Sequence, residues 1–124
     1  MDIPKNSTMP FLAIYDRWDG TIPIHGGLSN QGWKYESLET VMEAWGKVHD
    51  CDTSEMAPFT TPQDGGPRRF ECSAYKGCKS PVENNNELGT VVQCLWDGYH
   101  GDWPEDGVIA KVTFWWIAKH VLGE

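Results

Sequence analysis

The sequence predicts an α/β fold in a single domain of 124 residues, since domains of this size are common. Two patterns carry this prediction. The run Phe11-Leu12-Ala13-Ile14-Tyr15 has no polar alternation, which is typical of a strand buried on both faces of a parallel sheet. The segment 35–49 instead repeats apolar residues at three- and four-residue steps, which indicates an amphipathic helix.

The helix predicted over 35–49 has Ser37 as a possible N-cap, because a serine hydroxyl can accept a hydrogen bond from the free N–H groups of the first turn. Glu39 near its start and Lys47 near its end suit the helix dipole. Its apolar stripe comprises Leu38, Val41, Met42, Trp45 and Val48. We interpret Trp45 as a core residue.

The remaining segments alternate between loops and shorter patterns. Residues 1–9 are expected to be disordered, 25–32 to form a flexible loop, and 51–67 to form a surface loop because three prolines and two adjacent glycines interrupt it. The segments 68–75 and 90–96 are predicted to be antiparallel strands, and 106–121 a helix with Asp106 as its N-cap. The prediction is therefore about three strands with two main helices.

Charge and hydropathy exclude two classes of partner. The net charge is −8 and the chain has no basic cluster, so binding to nucleic acid or to anionic lipid is not expected. No run of about 18 apolar residues occurs, which argues against a transmembrane helix. Met1–Pro10 lacks the apolar core of a signal peptide. The oligomeric state is left open.

Four cysteines, Cys51, Cys72, Cys78 and Cys94, favour disulfides and an exported protein, since an even count accompanies 13 glycines and 8 prolines. Three pairings are open. Free thiols are a second alternative, and zinc is a third that lacks the usual Cys-x-x-Cys spacing. The sequon Asn6-Ser7-Thr8 adds modest support for export. We expect no metal and no cofactor.

An acidic loop and a histidine loop each follow a predicted strand. Asp16 and Asp19 come after the strand at 11–15, and His100 comes after the strand at 90–96. Ligands of α/β sheets lie beyond the carboxyl ends of strands, so the two loops could share one edge. A carboxylate that orients a histidine, which in turn activates a serine, is the arrangement of a hydrolytic triad. In α/β-hydrolases the chain order is serine, acid, histidine.

Several motifs, in order, resemble the C-terminal part of the secreted α/β-hydrolase esterases, which include feruloyl esterases, acetylxylan esterases and polyhydroxybutyrate depolymerases. The resemblance spans about Pro10 to His120. The matching residues are Asp19-Gly20-Thr21-Ile22-Pro23, Gly26-Gly27, Trp45 with Cys51, Cys94, Gly98-Tyr99-His100-Gly101-Asp102-Trp103-Pro104, and the terminal Phe114-Trp115-Trp116.

The resemblance implies a partial α/β-hydrolase sheet in which Asp19 is the triad acid and His100 the general base. It places Tyr99 and Trp103 at the substrate pocket, and it implies a secreted parent protein that acts on a small-molecule or polysaccharide-linked ester. Asp102 is a rival carboxylate that ranks below Asp19, since adjacent side chains rarely reach bonding geometry. His25, His49 and His120 are not expected to be catalytic.

The chain departs from this family in two places. Tyr15-Asp16 stands where the family usually has His-Gly, and no Gly-x-Ser-x-Gly occurs. The nearest match, around Ser29, lacks the second glycine and does not lie between a strand and a helix, so we do not nominate Ser29 as a nucleophile. We therefore expect a C-terminal fragment, truncated gene model or degenerate copy of a serine esterase, with little activity alone.

Two hypotheses from other classes remain. The first is a non-catalytic carbohydrate-binding or interaction module, because 7 tryptophans are many for this length and exposed indoles can stack on sugar rings. The second is a zinc-stabilised interaction domain.

Overall fold

A four-stranded mixed sheet with helices on both faces forms the centre of the protein. The computed structural model describes residues 3, 9–59, 61, 70–79, 87–100 and 108–122. The elements, in chain order, are β1 (Phe11–Asp16), β2 (Gly27–Leu28), β3 (Lys34–Tyr35), α1 (Leu38–Val48), β4 (Asp52–Pro58), β5 (Phe70–Lys76), a 3₁₀ turn (Glu87–Gly89), β6 (Val91–Trp96), α2 (Val108–Trp116) and a π-helical turn (Ile117–Val121).

The strand order is β1-β6-β5-β4. β1 runs parallel to β6, from Phe11 opposite Val91 to Asp16 opposite Trp96. β5 is antiparallel to both β6 and β4. The predicted strand at 11–15 and the antiparallel pairing of the two later strands are thus confirmed, and at this level so is the α/β class.

Each face of the sheet has its own apolar cluster. On one face α1 packs Leu38 and Met42 against Ala13 and Val91. On the other face Trp116 of α2 packs against Val92 and Cys94. Because successive strand residues point to opposite faces, β6 needs apolar residues on both faces to fill both clusters, and Gln93 is its one polar residue. That explains why β1 and β6 lack polar alternation in the sequence.

The prediction of three strands was wrong, because β4 lies inside the segment 51–67 that was predicted to be a surface loop. β4 is an edge strand, and its side chains are mostly half-buried or exposed. Edge strands tolerate polar residues and a terminal proline, so Pro58 can end this one. Phe59 follows it and is buried. Residues 60 and 62–67 lie outside the described residues.

The expected loop at 25–32 also contains structure, since β2 and β3 pair as a short antiparallel ribbon. Gly26, Gly27 and Gly32 have φ values of 74°, 86° and 84°, which glycine adopts without strain. The predicted helix over 35–49 is confirmed from Leu38, because Lys34 and Tyr35 belong to the ribbon. The Ser37 hydroxyl accepts a hydrogen bond from the Thr40 N–H at 3.1 Å, as expected of an N-cap.

The C-terminal helix predicted over 106–121 is confirmed from Val108, and it ends in the π-helical turn. Asp106, the expected N-cap, lies outside the described residues. The Trp116 Nε1–H donates to the Gly89 carbonyl at 2.8 Å. A Cβ added at Gly89 would fall within the imidazole of His120, so only glycine permits this close contact.

All four cysteines form disulfides, Cys51 with Cys78 and Cys72 with Cys94. The second disulfide joins residues directly opposite in β5 and β6. These bonds leave no cysteine thiolate for the zinc hypothesis, and they fit an extracellular protein. Among the helices of the described residues, none has both the length and the apolarity that a bilayer-spanning segment requires.

Burial of His120 makes stability depend on pH. Burial, and then the charge of Lys119, lower the pKa of His120 below its ordinary value of 6.5. The unfolded chain therefore binds more protons than the folded chain. The contribution of neutral His120 to stability is complete above about pH 6.5 and is lost as the pH falls through the folded-state pKa.

We expect the free energy of unfolding, measured by urea denaturation from about pH 8 to about pH 5, to fall less steeply in His120→Gln than in the unchanged protein. His25→Gln is the matched control, because His25 is exposed. Equal slopes in His120→Gln and the unchanged protein would contradict the prediction.

Candidate functional site

The site lies where β1 and β6 end side by side. Because the two strands are parallel, their carboxyl ends meet at one edge of the sheet. Backbone hydrogen bonds between the two chain segments continue past the ends of the strands. The Arg17 N–H donates to the Trp96 carbonyl at 2.7 Å, and the Trp18 N–H donates to the Gly98 carbonyl at 2.9 Å. The acidic loop and the histidine loop therefore leave the sheet as neighbours.

Asp19 and His100 come together at this edge. The Asp19 Oδ2 atom lies 2.8 Å from His100 Nδ1, across 81 residues of sequence. An ionised carboxylate only accepts hydrogen bonds, so Nδ1 must carry the proton. Within the described part of the chain His100 hydrogen-bonds to Asp19 alone. The Nε2 atom is thus left as the basic nitrogen of the neutral ring.

The two members of the pair differ in exposure. The Asp19 side chain is 7% exposed and that of His100 is 52% exposed. Burial alone would raise the pKa of Asp19. Hydrogen bonds from the Ile22 N–H, His100 and the Thr21 N–H outweigh burial and hold the pKa below its ordinary value. Asp19 is therefore ionised at neutral pH, as an acceptor for imidazole must be.

The other oxygen of Asp19 orients the carboxylate. Oδ1 accepts hydrogen bonds from the N–H groups of Thr21 and Ile22, each at 2.7 Å. Aspartate commonly caps a turn in this way. Since Oδ1 is held by the backbone of its own loop, Oδ2 is directed to His100 rather than free to rotate.

The β2–β3 ribbon supports the acidic loop. The Asn30 N–H donates to the Gly20 carbonyl at 3.0 Å. Ser29, at the tip of the ribbon, is buried, and its hydroxyl accepts from the N–H groups of Gln31 and Trp33 at 3.2 and 3.1 Å. This hydroxyl therefore stabilises the turn.

An ion pair of Arg17 joins the acidic loop to the histidine loop, and this contact was not predicted from the sequence. Its Nε–H donates to Asp97 Oδ1 at 2.7 Å, and one Nη lies 3.4 Å from Glu71 Oε2. Arg17 and Asp97 are each the first residue after their strand, two and three residues before Asp19 and His100. A charged residue directly after each of two paired strands is the signal that could have identified this contact.

The other predicted site residues are placed as follows. Tyr99 is 67% exposed beside His100. Trp103 and Asp102 lie outside the described residues.

His49 is buried and its Nε2 lies 2.7 Å from the Met9 carbonyl oxygen. His120 packs among Phe59 and Trp115 in the second cluster. His25 is exposed on the loop before the ribbon.

The tryptophans divide into core and surface residues. Trp96 and Trp116 are buried, and Trp45 is half-buried and stacked on Phe11 with ring centroids 4.6 Å apart. Trp18 and Trp33 are 56% and 67% exposed. The described tryptophans available to stack on a sugar ring are thus mainly these two, and the carbohydrate-binding alternative stays a prediction.

Comparisons with protein-family models, with curated proteins and with solved structures found no match to this chain. The molecule is thus characterised by its own features, a mixed α/β fold that carries an aspartate–histidine pair at the carboxyl ends of two parallel strands.

The ion pair between Arg17 and Asp97 should stabilise the fold more than an ordinary surface ion pair does, because the Arg17 side chain is only 16% exposed. We expect Arg17→Met to lower the free energy of unfolding by about 1.5–3 kcal/mol, the range for hydrogen bonds to charged groups. Lys47→Met is the matched control, since it removes the exposed Lys47–Glu43 pair, and should cost at most about 1 kcal/mol. Equal losses in urea denaturation of the two variants would contradict the prediction.

Proposed function

We propose that this chain is the C-terminal part of a serine carboxylic-ester hydrolase of the α/β-hydrolase type, and that Asp19 and His100 are its triad acid and general base. The single observation that carries the proposal is the hydrogen bond of 2.8 Å between Asp19 Oδ2 and His100 Nδ1. The motif order around these residues, given above, supports the same assignment.

In the proposed mechanism His100 Nε2 accepts the proton of a serine hydroxyl as the serine oxygen attacks the ester carbonyl. His100 then gives that proton to the departing alcohol, and water cleaves the acyl-enzyme by the same route. Asp19 remains ionised, stabilises the imidazolium and holds the ring in the Nδ1–H tautomer. The serine and the oxyanion hole would come from polypeptide that this sequence does not include.

Two features of the described residues suit this role. The imidazole is 52% exposed, so a nucleophile from another segment can reach it. Among the described strands β1 pairs only with β6, and its other edge can accept the next strand of a larger sheet. An additional strand there would extend the parallel part of the sheet beside the acidic loop.

The substrate class follows from the resemblance alone. It comprises esters of plant-wall phenolic acids, acetylated xylan or a polyester, and the reaction needs no cofactor. The two disulfides are consistent with an enzyme that acts outside the cell.

Asp19→Asn should reverse the tautomer of His100. The backbone N–H groups that bind Oδ1 would retain the amide oxygen of the new side chain, so its NH₂ group would face Nδ1 and donate to it. The neutral ring would then carry its proton on Nε2, the wrong tautomer for a general base.

Nitrogen-15 NMR of the imidazole distinguishes the two tautomers, because protonated and unprotonated ring nitrogens resonate far apart. We expect Nδ1 to change from protonated to unprotonated in Asp19→Asn. Asp16→Asn, at the end of β1 and three residues before Asp19, is the control and should leave the pattern unchanged. An Nδ1–H tautomer retained in Asp19→Asn would contradict the proposed role of the carboxylate.

The proposal as a whole is tested on the longer reading frame. We expect DNA upstream of the Met1 codon to encode a Gly-x-Ser-x-Gly in frame, and the longer product to hydrolyse a chromogenic acetate ester. In that product His100→Ala should lower kcat by about 10⁶-fold and Asp19→Asn by about 10⁴-fold, as in serine proteases. His25→Ala should have no effect. A genuine promoter and start codon at Met1, with no such reading frame, would overturn the fragment proposal.

A further inference from the structure

A cavity of about 320 Å³ lies on the α1 face of the sheet, between the first half of α1 and strands β4, β5 and β6. This volume is within the range of about 300–1,000 Å³ that is typical of small-molecule sites. Neither Asp19 nor His100 lines the cavity. An inference about it is therefore independent of the proposed ester chemistry.

The lining includes an apolar surface. Its half-buried apolar residues are Ile24, Met56 of β4 and Leu95 of β6. Methionine side chains are flexible and polarisable, and they adapt to ligands of different shape. This part of the cavity suits the hydrocarbon body of a small molecule.

The polar part of the lining is acidic. Glu39 and Glu55 contribute carboxylates, and no lysine or arginine is among the described residues that line the cavity. His25 is the only lining side chain there that can carry a positive charge. Since the whole chain has a net charge of −8, the surrounding field also favours a cation.

Tyr75 supplies a second and independent indication of a ligand. It lines the cavity and is only 5% exposed, and its hydroxyl has no hydrogen-bond partner among the described residues. Its ring is held beneath α1, where Gly46 leaves room for it. The hydroxyl therefore has hydrogen-bonding capacity that no described side chain or backbone group uses, and a molecule in the cavity could use it.

The Tyr75 hydroxyl lies in a negative environment and stays protonated. Burial, followed by the charges of Glu43 and Glu39, raises the pKa of Tyr75 above its ordinary value of 10.0. The neutral phenol retains lone pairs that can accept a hydrogen bond from a ligand. A positively charged donor would satisfy it and would also offset the nearby carboxylates.

From these observations we infer that the cavity binds a small organic ammonium ion, with its apolar body on Ile24, Met56 and Leu95 and its charged nitrogen near Glu39, Glu55 and the Tyr75 hydroxyl. An organic cation fits better than a metal ion, because the described residues contain no group of three or more metal-ligating side chains. Hard metal ions also need six or more oxygen ligands, which an apolar wall cannot supply.

The test is an NMR titration of the full chain with three probes of the same shape, phenethylammonium, phenethyl alcohol and phenylacetate. We expect the ammonium to bind at least about tenfold more tightly than the alcohol, as a charge-assisted hydrogen bond implies. The carboxylate should not bind measurably. Amide shifts should map to α1, β4 and β6. Equal affinities for the three probes, or no binding of the ammonium, would overturn the inference.

Variants locate the site. Tyr75→Phe and Glu39→Gln should each weaken binding of phenethylammonium by about tenfold. Tyr75→Phe should leave the melting temperature unchanged, because the hydroxyl has no partner among the described residues. Glu39→Gln should lower it by only about 2–4 °C, because Glu39 is exposed and loses only its interaction with the helix dipole. Glu36→Gln is the matched control, since it removes the same charge just outside the cavity, and should leave binding unchanged. Full affinity in both test variants would overturn the assignment even if the ammonium binds elsewhere.

Discussion

The parallel pairing of β1 with β6 is the constraint on which the site depends. Six residue pairs fix its register, and two more backbone hydrogen bonds continue it to Trp18 and Gly98. A slip by one residue would move one loop along the other by about 3.3 Å and would also turn every side chain to the opposite face. The contact between Asp19 and His100 would then be lost. The site is thus a consequence of sheet register rather than of local loop structure.

The register is in turn stabilised by contacts on both faces of β6. Val91 packs toward α1, while Val92 and Cys94 pack toward α2. The disulfide from Cys94 to Cys72 fixes β6 against β5. Because β6 lies between β1 and β5, these contacts hold the strand that leads to His100. The Arg17–Asp97 ion pair then joins the loops at the point where they leave the sheet.

The parts of this structure that follow from hydrophobic pattern could be predicted from the sequence, and those that depend on distant contacts could not. β1 is a continuous apolar run and α1 has a clear apolar period, whereas β4 is a polar edge strand whose sequence resembles a loop. The acidic loop and His100 were found because each follows a strand, and the choice of Asp19 as the acid came from the family resemblance. The disulfide pairing and the Arg17–Asp97 contact depend on strand order, which a single sequence does not contain. The cavity beneath α1 required side-chain packing.

The ion pair between Asp19 and His100 contributes little to stability by itself, because the His100 side chain is half exposed. An ion pair with one partner half exposed contributes at most about 1 kcal/mol, whereas burying a carboxylate is costly unless several donors bind it. A turn alone would need only the Oδ1 contacts to Thr21 and Ile22. The chain instead buries the whole side chain and directs Oδ2 at an exposed imidazole. A fixed, ionised acceptor behind an accessible ring is the geometry that proton transfer at Nε2 requires, and the proposed role of the pair is based on this geometry.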